Sequence, residues 1–236
     1  MQHRSTTRTR IEGGIAPALR AAAAIGAAAA GLTACSPDQG KQAATADQAQ
    51  TPAPTVYVAH LTAMNTSVTG TPAAGEVTFT ITGDSLTIAT DVTGLPKDIT
   101  HWQHFHGFKD GRDAACPAKT ADANGDGIVD LIETEPAAGT TMVPFNDDPV
   151  AMDIPKDTYP KASDTGALQY RETVSLSALQ AAFGKAFEGQ QLDLDKRVVF
   201  LHGVPSDTKL ASSVASLGPI PAQVTLPIAC GEITRQ

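Results

Sequence analysis

The chain has 236 residues, with 17 Lys or Arg and 25 Asp or Glu, so its formal charge is −8. This acidic balance argues against binding to nucleic acid or to anionic membranes through charge, and it suits a protein that carries bound cations. The length is sufficient for one well-packed core together with a leader and a tail.

Residues 1–34 have the features of an export signal. Four Arg charge the front end, and Ala21–Ala30 form an apolar run that is too short and too alanine-rich for a membrane span. The run ends at Leu-Thr-Ala-Cys35, which resembles the lipobox of bacterial lipoproteins, in which the cysteine is lipidated and becomes the new N-terminus. We therefore predict a removed signal peptide, lipidation of Cys35 and an anchored location in the bacterial periplasm or at the cell surface. The alternative is an ordinary cleaved signal.

Removal of the signal takes away four Arg and one Glu, which leaves 13 basic and 24 acidic side chains and a formal charge of −11. Residues 35–54 are polar and rich in Ala and Gln, and they lack apolar periodicity. This composition is typical of a flexible tether. The tether would join the lipid to a folded domain over residues 55–236.

From Thr55 onward, short segments with a period of two predict an antiparallel β-sandwich or barrel. Ser177 is predicted to cap a short helix in which Leu179, Phe183 and Phe187 pack in the core. The predicted strands cover residues 55–61, 76–82, 86–92, 100–108, 167–175, 197–204 and 222–230.

Residues 109–165 show little periodicity, and a loop of this length in a compact domain is usually functional or disordered. Its segment 122–133 fits the EF-hand loop, and four carboxylates held this close repel one another unless a cation is present. Pro117 and the short helical stretch 129–134 make poor flanking helices, so we predict a structural calcium site, with a plain acidic turn as the alternative. The predicted calcium ligands are Asp122, Asn124, Asp126, the Ile128 carbonyl, Asp130 and Glu133.

Three histidines are candidates for a second metal site. His104 and His106 are two residues apart on one predicted strand, so they point to the same face, about 7 Å apart along the chain. His202 lies in another strand and would join them if the two strands are neighbours. Three imidazoles suit copper, zinc or iron, whereas the alternative is that they are ordinary hydrogen-bonded histidines. We expect structural roles for His101 and His60.

With Cys35 lipidated, Cys116 and Cys230 remain. In an oxidising exported compartment they predict one disulfide that closes a loop of more than a hundred residues. The alternative is that two thiolates contribute to a metal site.

Three segments resemble the copper/zinc superoxide dismutase family. VTGLPKDITHWQHFHGF, residues 92–108, is similar to its strand–turn–strand with an H-x-H copper strand, and RVVFLHGV, residues 197–204, is similar to the strand with a further copper histidine. LPIACGEI, residues 226–233, resembles the terminal strand, whose cysteine pairs with one in the loop after H-x-H. The resemblance covers about residues 55–116 and 197–233. It implies an eight-stranded Greek-key β-sandwich, copper at His104, His106 and His202, and a Cys116–Cys230 disulfide.

The chain departs from that family at the zinc site and at the substrate-guiding arginine. No histidine lies between His106 and His202, and Pro227 stands where the family has its arginine, three residues before the terminal cysteine. These departures argue against efficient turnover. Together with the signal and the two metal motifs, they lead us to predict an exported protein that binds calcium and copper. The alternative is a copper-only superoxide dismutase, an oxidoreductase, because copper-only relatives show that the zinc site is dispensable.

Overall fold

The strands and helices of the computed structural model lie in residues 53–236, which are the residues that it describes. The predicted signal peptide, the lipidation site Cys35 and nearly all of the predicted tether fall outside them. Over the described range, none of the helices has the length and apolar character needed to span a membrane.

The described residues form eight strands, and every pairing between neighbouring strands is antiparallel. Their order across the curled sheet is β5-β4-β7-β8-β1-β2-β3-β6, which confirms the predicted all-β sandwich or barrel. The strands are β1 Thr55–Ala63, β2 Ala74–Thr82, β3 Ser85–Thr93, β4 Gln103–Gly107, β5 Thr140–Pro144, β6 Leu168–Ser175, β7 Val198–His202 and β8 Pro227–Arg235. Four α-helices lie between them: α1 Thr66–Thr69, α2 Leu131–Ala138, α3 Leu176–Ala186 and α4 Ala222–Thr225.

Alternation of side chains decides which face of each strand enters the core. In β3 every second residue is buried, including Leu86 and Ile88, as a half-exposed strand requires. In contrast, β4 and β7 are buried at every position. Phe105 of β4 packs in the main core, so its neighbours His104 and His106 occupy the opposite, equally buried face.

Two predicted strands begin more than two residues away from the observed start. The last strand begins at Pro227 rather than at residue 222, because residues 222–225 form α4 directly after Pro221, whose fixed φ suits the start of a helical turn. The fourth strand begins at Gln103 rather than at residue 100. The backbone N–H of His101 instead donates to the carbonyl of Pro160, outside the sheet.

The helix α3 was correctly predicted in its packing but not in its cap. Leu179 and Phe183 are fully buried, and the Phe183 ring lies 6.0 Å from that of Phe105. The capping residue is Ser175, whose side chain accepts from the N–H of Ala178, so the helix begins one residue before the predicted cap, Ser177.

A disulfide joins Cys116 to Cys230, with 5.8 Å between their Cα atoms and 114 residues between them in sequence. It ties the segment that precedes the acidic loop to β8. The predicted disulfide is confirmed, and the alternative of two free thiolates at a metal site is excluded.

Candidate metal centre

Three histidines from two adjacent strands meet on one buried face. In the pairing of β4 with β7, His104 lies opposite Phe200 and His106 opposite Val198. His202 is two residues beyond Phe200 and therefore points to the same face. The potential ligand atoms of the three imidazoles all lie within 4.8 Å of one another. The structure thus brings together the three histidines that the sequence singled out.

Backbone carbonyls define which ring nitrogen carries the proton in His106 and His202. His202 Nδ1 lies 2.7 Å from the carbonyl oxygen of Thr225, and His106 Nδ1 lies 3.3 Å from that of Gly139. Because a carbonyl can only accept, both Nδ1 atoms carry the proton, and both Nε2 atoms present a lone pair. Within residues 53–236, the buried nitrogens His202 Nε2 and His104 Nδ1 have no hydrogen-bond partner.

Burial keeps all three imidazoles neutral. It lowers the pKa of His106 to about 3, with a smaller contribution from the neighbouring His202. It also lowers the pKa of His202 to about 4, against the opposing effect of the bond to the Thr225 carbonyl. The pKa of His104 is held well below its usual range, by burial first and then by the other two imidazoles. Neutral imidazole is the form that binds a metal ion.

The three neutral nitrogen donors form a group that can hold a metal ion such as copper, zinc or iron. The histidines are almost closed to solvent, with exposed fractions of 3% for His104, 2% for His106 and 4% for His202. The phenyl ring of Phe200 covers one side of the group, 4.7 Å from the His106 ring. The centre is therefore nearly closed to solvent, with an aromatic ring against one side.

Two further histidines, His101 and His60, lie outside the three-histidine group. His101 is fully buried, with Nδ1 3.0 Å from the carbonyl oxygen of His202 and Nε2 2.8 Å from that of Pro96. Burial lowers the pKa of His101, and a neutral imidazole carries one ring proton, so His101 donates to one of these two carbonyls and packs between the end of β7 and the turn after β3. His60 is exposed and pairs with Glu76 at 3.4 Å, away from the three-histidine group.

The acidic loop 122–133 is compact, but its carboxylates bond mainly to backbone N–H groups. Asp122 accepts from the N–H of Gly125 and Gly127 at 2.8 Å each, and Asp130 caps α2 while Glu133 accepts from the N–H of Asp130. Throughout the described range, the three histidines are the one group of at least three His, Cys, Asp or Glu donors that all lie within 4.8 Å of one another. The predicted calcium ligands thus lie in one loop, but no three of their carboxylates have oxygen atoms that all lie within 4.8 Å of one another.

The loop is also held from outside by segments distant in sequence. The amide of Asn65 donates to the Val129 carbonyl and accepts from the Val129 N–H, at 2.9 Å in each case. In the segment between β7 and β8, Ser213 donates to Asp126, and the N–H of Ala215 donates to Asp130 at 2.6 Å. The loop conformation therefore depends on tertiary contacts as well as on its own turns.

Sequence reasoning missed three residues that hold the histidines: Gly139, Thr141 and Thr225. Thr141 belongs to β5, whose five residues TTMVP carry no clear alternation and lie inside a segment predicted as loop. A glycine after a helical stretch is a usual helix end, so Gly139 had a detectable signal. The role of Thr225 comes from its carbonyl, which the sequence cannot assign.

Fold and site together define an antiparallel all-β protein with a buried three-histidine group. Compared with protein-family models and with curated proteins, the chain gives no match.

Proposed function

We propose that this is an exported, lipid-anchored metal-binding protein that holds copper through His104, His106 and His202 on a scaffold like that of the superoxide dismutases. The observation that carries the proposal is the convergence of buried ring nitrogens without partners. A buried polar atom that lacks a hydrogen bond is costly, and native proteins rarely keep two of them side by side. A metal ion bound by these two nitrogens would remove that cost, and it could bind the Nε2 atom of His106 as well.

The chemistry of the donors favours copper, and in particular its monovalent state. The centre offers three neutral nitrogens, and no carboxylate among the described residues joins the group to offset the charge of an ion. Because burying uncompensated charge is costly, a singly charged ion is held at lower cost than a doubly charged one. Among the metals that imidazole binds well, copper has an accessible monovalent state. The resemblance of the histidine strands to a copper-binding family points the same way.

Burial favours metal holding over turnover. Histidines that are 2–4% exposed leave little access for a substrate. The chain also lacks an arginine at the position that would guide an anion. The second candidate is a copper-only superoxide dismutase, which is favoured by the agreement of the eight antiparallel strands and the disulfide with what the resemblance implies.

The test loads the purified full-length protein with copper and measures stoichiometry and superoxide decay, in the wild type and in His106→Ala. His60→Ala is the matched control, since it removes an exposed histidine outside the group. We expect one copper per wild-type and His60→Ala chain, loss of copper in His106→Ala, and no acceleration of superoxide decay. Copper-dependent decay that His106→Ala abolishes would establish the second candidate. Absence of stoichiometric copper would refute both.

We further propose that residues 122–133 bind calcium as a structural ion. The support is the spacing of the oxygen ligands, which matches the EF-hand loop at every side-chain position. The test is the melting temperature with and without calcium, in the wild type, in Glu133→Ala and in the control Glu135→Ala, which removes an exposed carboxylate outside the motif. Calcium should stabilise the wild type and the control but not Glu133→Ala. Equal shifts in all three would contradict the site.

A further inference from the structure

One hydroxyl group contacts the candidate metal centre at an atom that the ion would need. Thr141 Oγ1 lies 3.2 Å from His106 Nε2, whereas His202 Nε2 and His104 Nδ1 have no hydrogen-bond partner among the described residues. We infer that Thr141 is a gating residue, whose hydroxyl occupies the lone pair of His106 Nε2 in the metal-free protein and must release it when an ion binds. This inference rests on the proposed metal-binding function of the three histidines.

The direction of the hydrogen bond follows from the opposite side of the ring. His106 Nδ1 faces the carbonyl of Gly139, so Nδ1 carries the proton and Nε2 carries the lone pair. The Thr141 hydroxyl must therefore be the donor. Because Nε2 has a single lone pair, the hydroxyl and a metal ion cannot use it at the same time.

Strand pairing holds Thr141 in this position. His106 and Thr141 are direct partners in the β4–β5 pairing, so their side chains lie on the same face. The register shifts between Phe105 and His106, where the partner changes from Val143 to Thr141. This irregularity re-aims β5 next to the metal centre. The contact is thus built by the sheet rather than by a mobile surface side chain.

Thr141 also lies on the outer side of the group. Its side chain is partly exposed, whereas the three histidines are buried. A hydroxyl displaced from Nε2 can therefore find water as a new partner, which the two unpartnered nitrogens cannot. An ion can thus replace the Thr141 hydroxyl at His106 Nε2 without unfolding β5.

The consequence is a measurable competition between hydroxyl and ion. A hydrogen bond that exists only in the metal-free state stabilises that state, so it lowers the apparent affinity for metal by the factor by which it favours the metal-free state. For one neutral hydrogen bond this factor is about twofold to tenfold. Removing the hydroxyl while keeping the shape of the side chain should therefore strengthen metal binding.

The test compares Thr141→Val, which removes the hydroxyl, with Thr141→Ser, which keeps it, in the full-length protein. Cu(I) affinity is measured by competition with a chromophoric Cu(I) chelator, and the metal-free proteins are compared through the ¹⁵N resonance of His106 Nε2. We expect Thr141→Val to bind Cu(I) about twofold to tenfold more tightly, Thr141→Ser to match the wild type, and the Nε2 resonance to shift in Thr141→Val alone. Thr141→Ala replaces Thr141→Val if the latter does not fold.

Unchanged or weaker Cu(I) binding in Thr141→Val would overturn the gating role, and so would an unshifted Nε2 resonance in the metal-free variant. A wild type that binds no Cu(I) would overturn the metal-binding function and the gate together. The ¹⁵N measurement needs no metal, so it separates a missing hydroxyl contact from a missing metal site.

Discussion

Replacing Gly139 by alanine should damage both the fold and the metal centre. Gly139 has φ 71° and ψ −152°, a backbone region that is essentially restricted to glycine. An added Cβ would overlap the carbonyl oxygen of Gly107 and lie 2.9 Å from the backbone nitrogen of Phe108. Both neighbours are backbone atoms of the segment directly after His106, so neither can rotate away. The substitution must move one strand relative to the other.

The expected loss of stability has two parts. Backbone strain at such a φ/ψ combination costs about 1–3 kcal/mol. Overpacking against fixed atoms adds about 1–3 kcal/mol. The unfolding free energy should therefore fall by about 2–6 kcal/mol, measured by urea denaturation of the metal-free protein. Cu(I) binding should weaken as well, because the Gly139 carbonyl that orients the His106 ring is displaced.

Gly70→Ala is the matched control. Gly70 has a similar φ of 75°, but a Cβ there would meet nothing within 4 Å among the described residues. With ψ at −33°, it should cost about 1–3 kcal/mol, from the backbone conformation alone, and should leave Cu(I) binding unchanged. If Gly139→Ala were no more destabilising than Gly70→Ala, the close approach of the two strands would not have the role assigned to it.

Three further predictions concern stability away from the three histidines. Replacing both disulfide cysteines by serine should reduce the unfolding free energy, measured by urea denaturation, by about 5 kcal/mol, since the bond closes a loop across 114 residues. A loss below about 1 kcal/mol would contradict this. Asn65→Asp keeps the acceptor for the Val129 N–H but removes both donated bonds, so calorimetry should show a loss of about 2 kcal/mol, and an unchanged Tm would refute it. Hydrogen bonds from Ser175 and Ser177 lower the pKa of Asp84, so this carboxylate stabilises the fold above its ordinary pKa and ceases to do so when acid protonates it. Asp84→Asn should therefore reduce the loss of unfolding free energy at acidic pH. An unchanged loss would argue against the contact.

The parts of the fold that follow from local pattern were predictable from the sequence. Alternation located most of the strands, and the H-x-H spacing placed His104 and His106 on one face. The spacing could not show that β7 lies next to β4, which is what brings His202 to them. That neighbourhood is a long-range pairing, which periodicity alone cannot predict.

The unpredicted parts depend on tertiary contacts. The strand β5 was hidden because its five residues have no clear alternation, so the contact of Thr141 with His106 was also hidden. Similarly, the spacing of the acidic residues predicts a loop, but it does not predict the hydrogen-bond partner of each carboxylate. In the folded chain, Asp126 and Asp130 receive hydrogen bonds from Ser213 and Ala215, which lie more than eighty residues away.

The short helix α2 makes the acidic loop and the histidine group mechanically dependent on each other. Asp130 of the loop caps its first turn, and Gly139, directly after its last residue, holds the His106 ring. Eight helical residues form a rod of about 12 Å that cannot be stretched or shortened without breaking hydrogen bonds. We therefore expect a cut or a substitution that displaces the loop to shift the orientation of His106. If an ion binds at His106, thermodynamic reciprocity predicts that it changes the resistance of the loop to proteolysis.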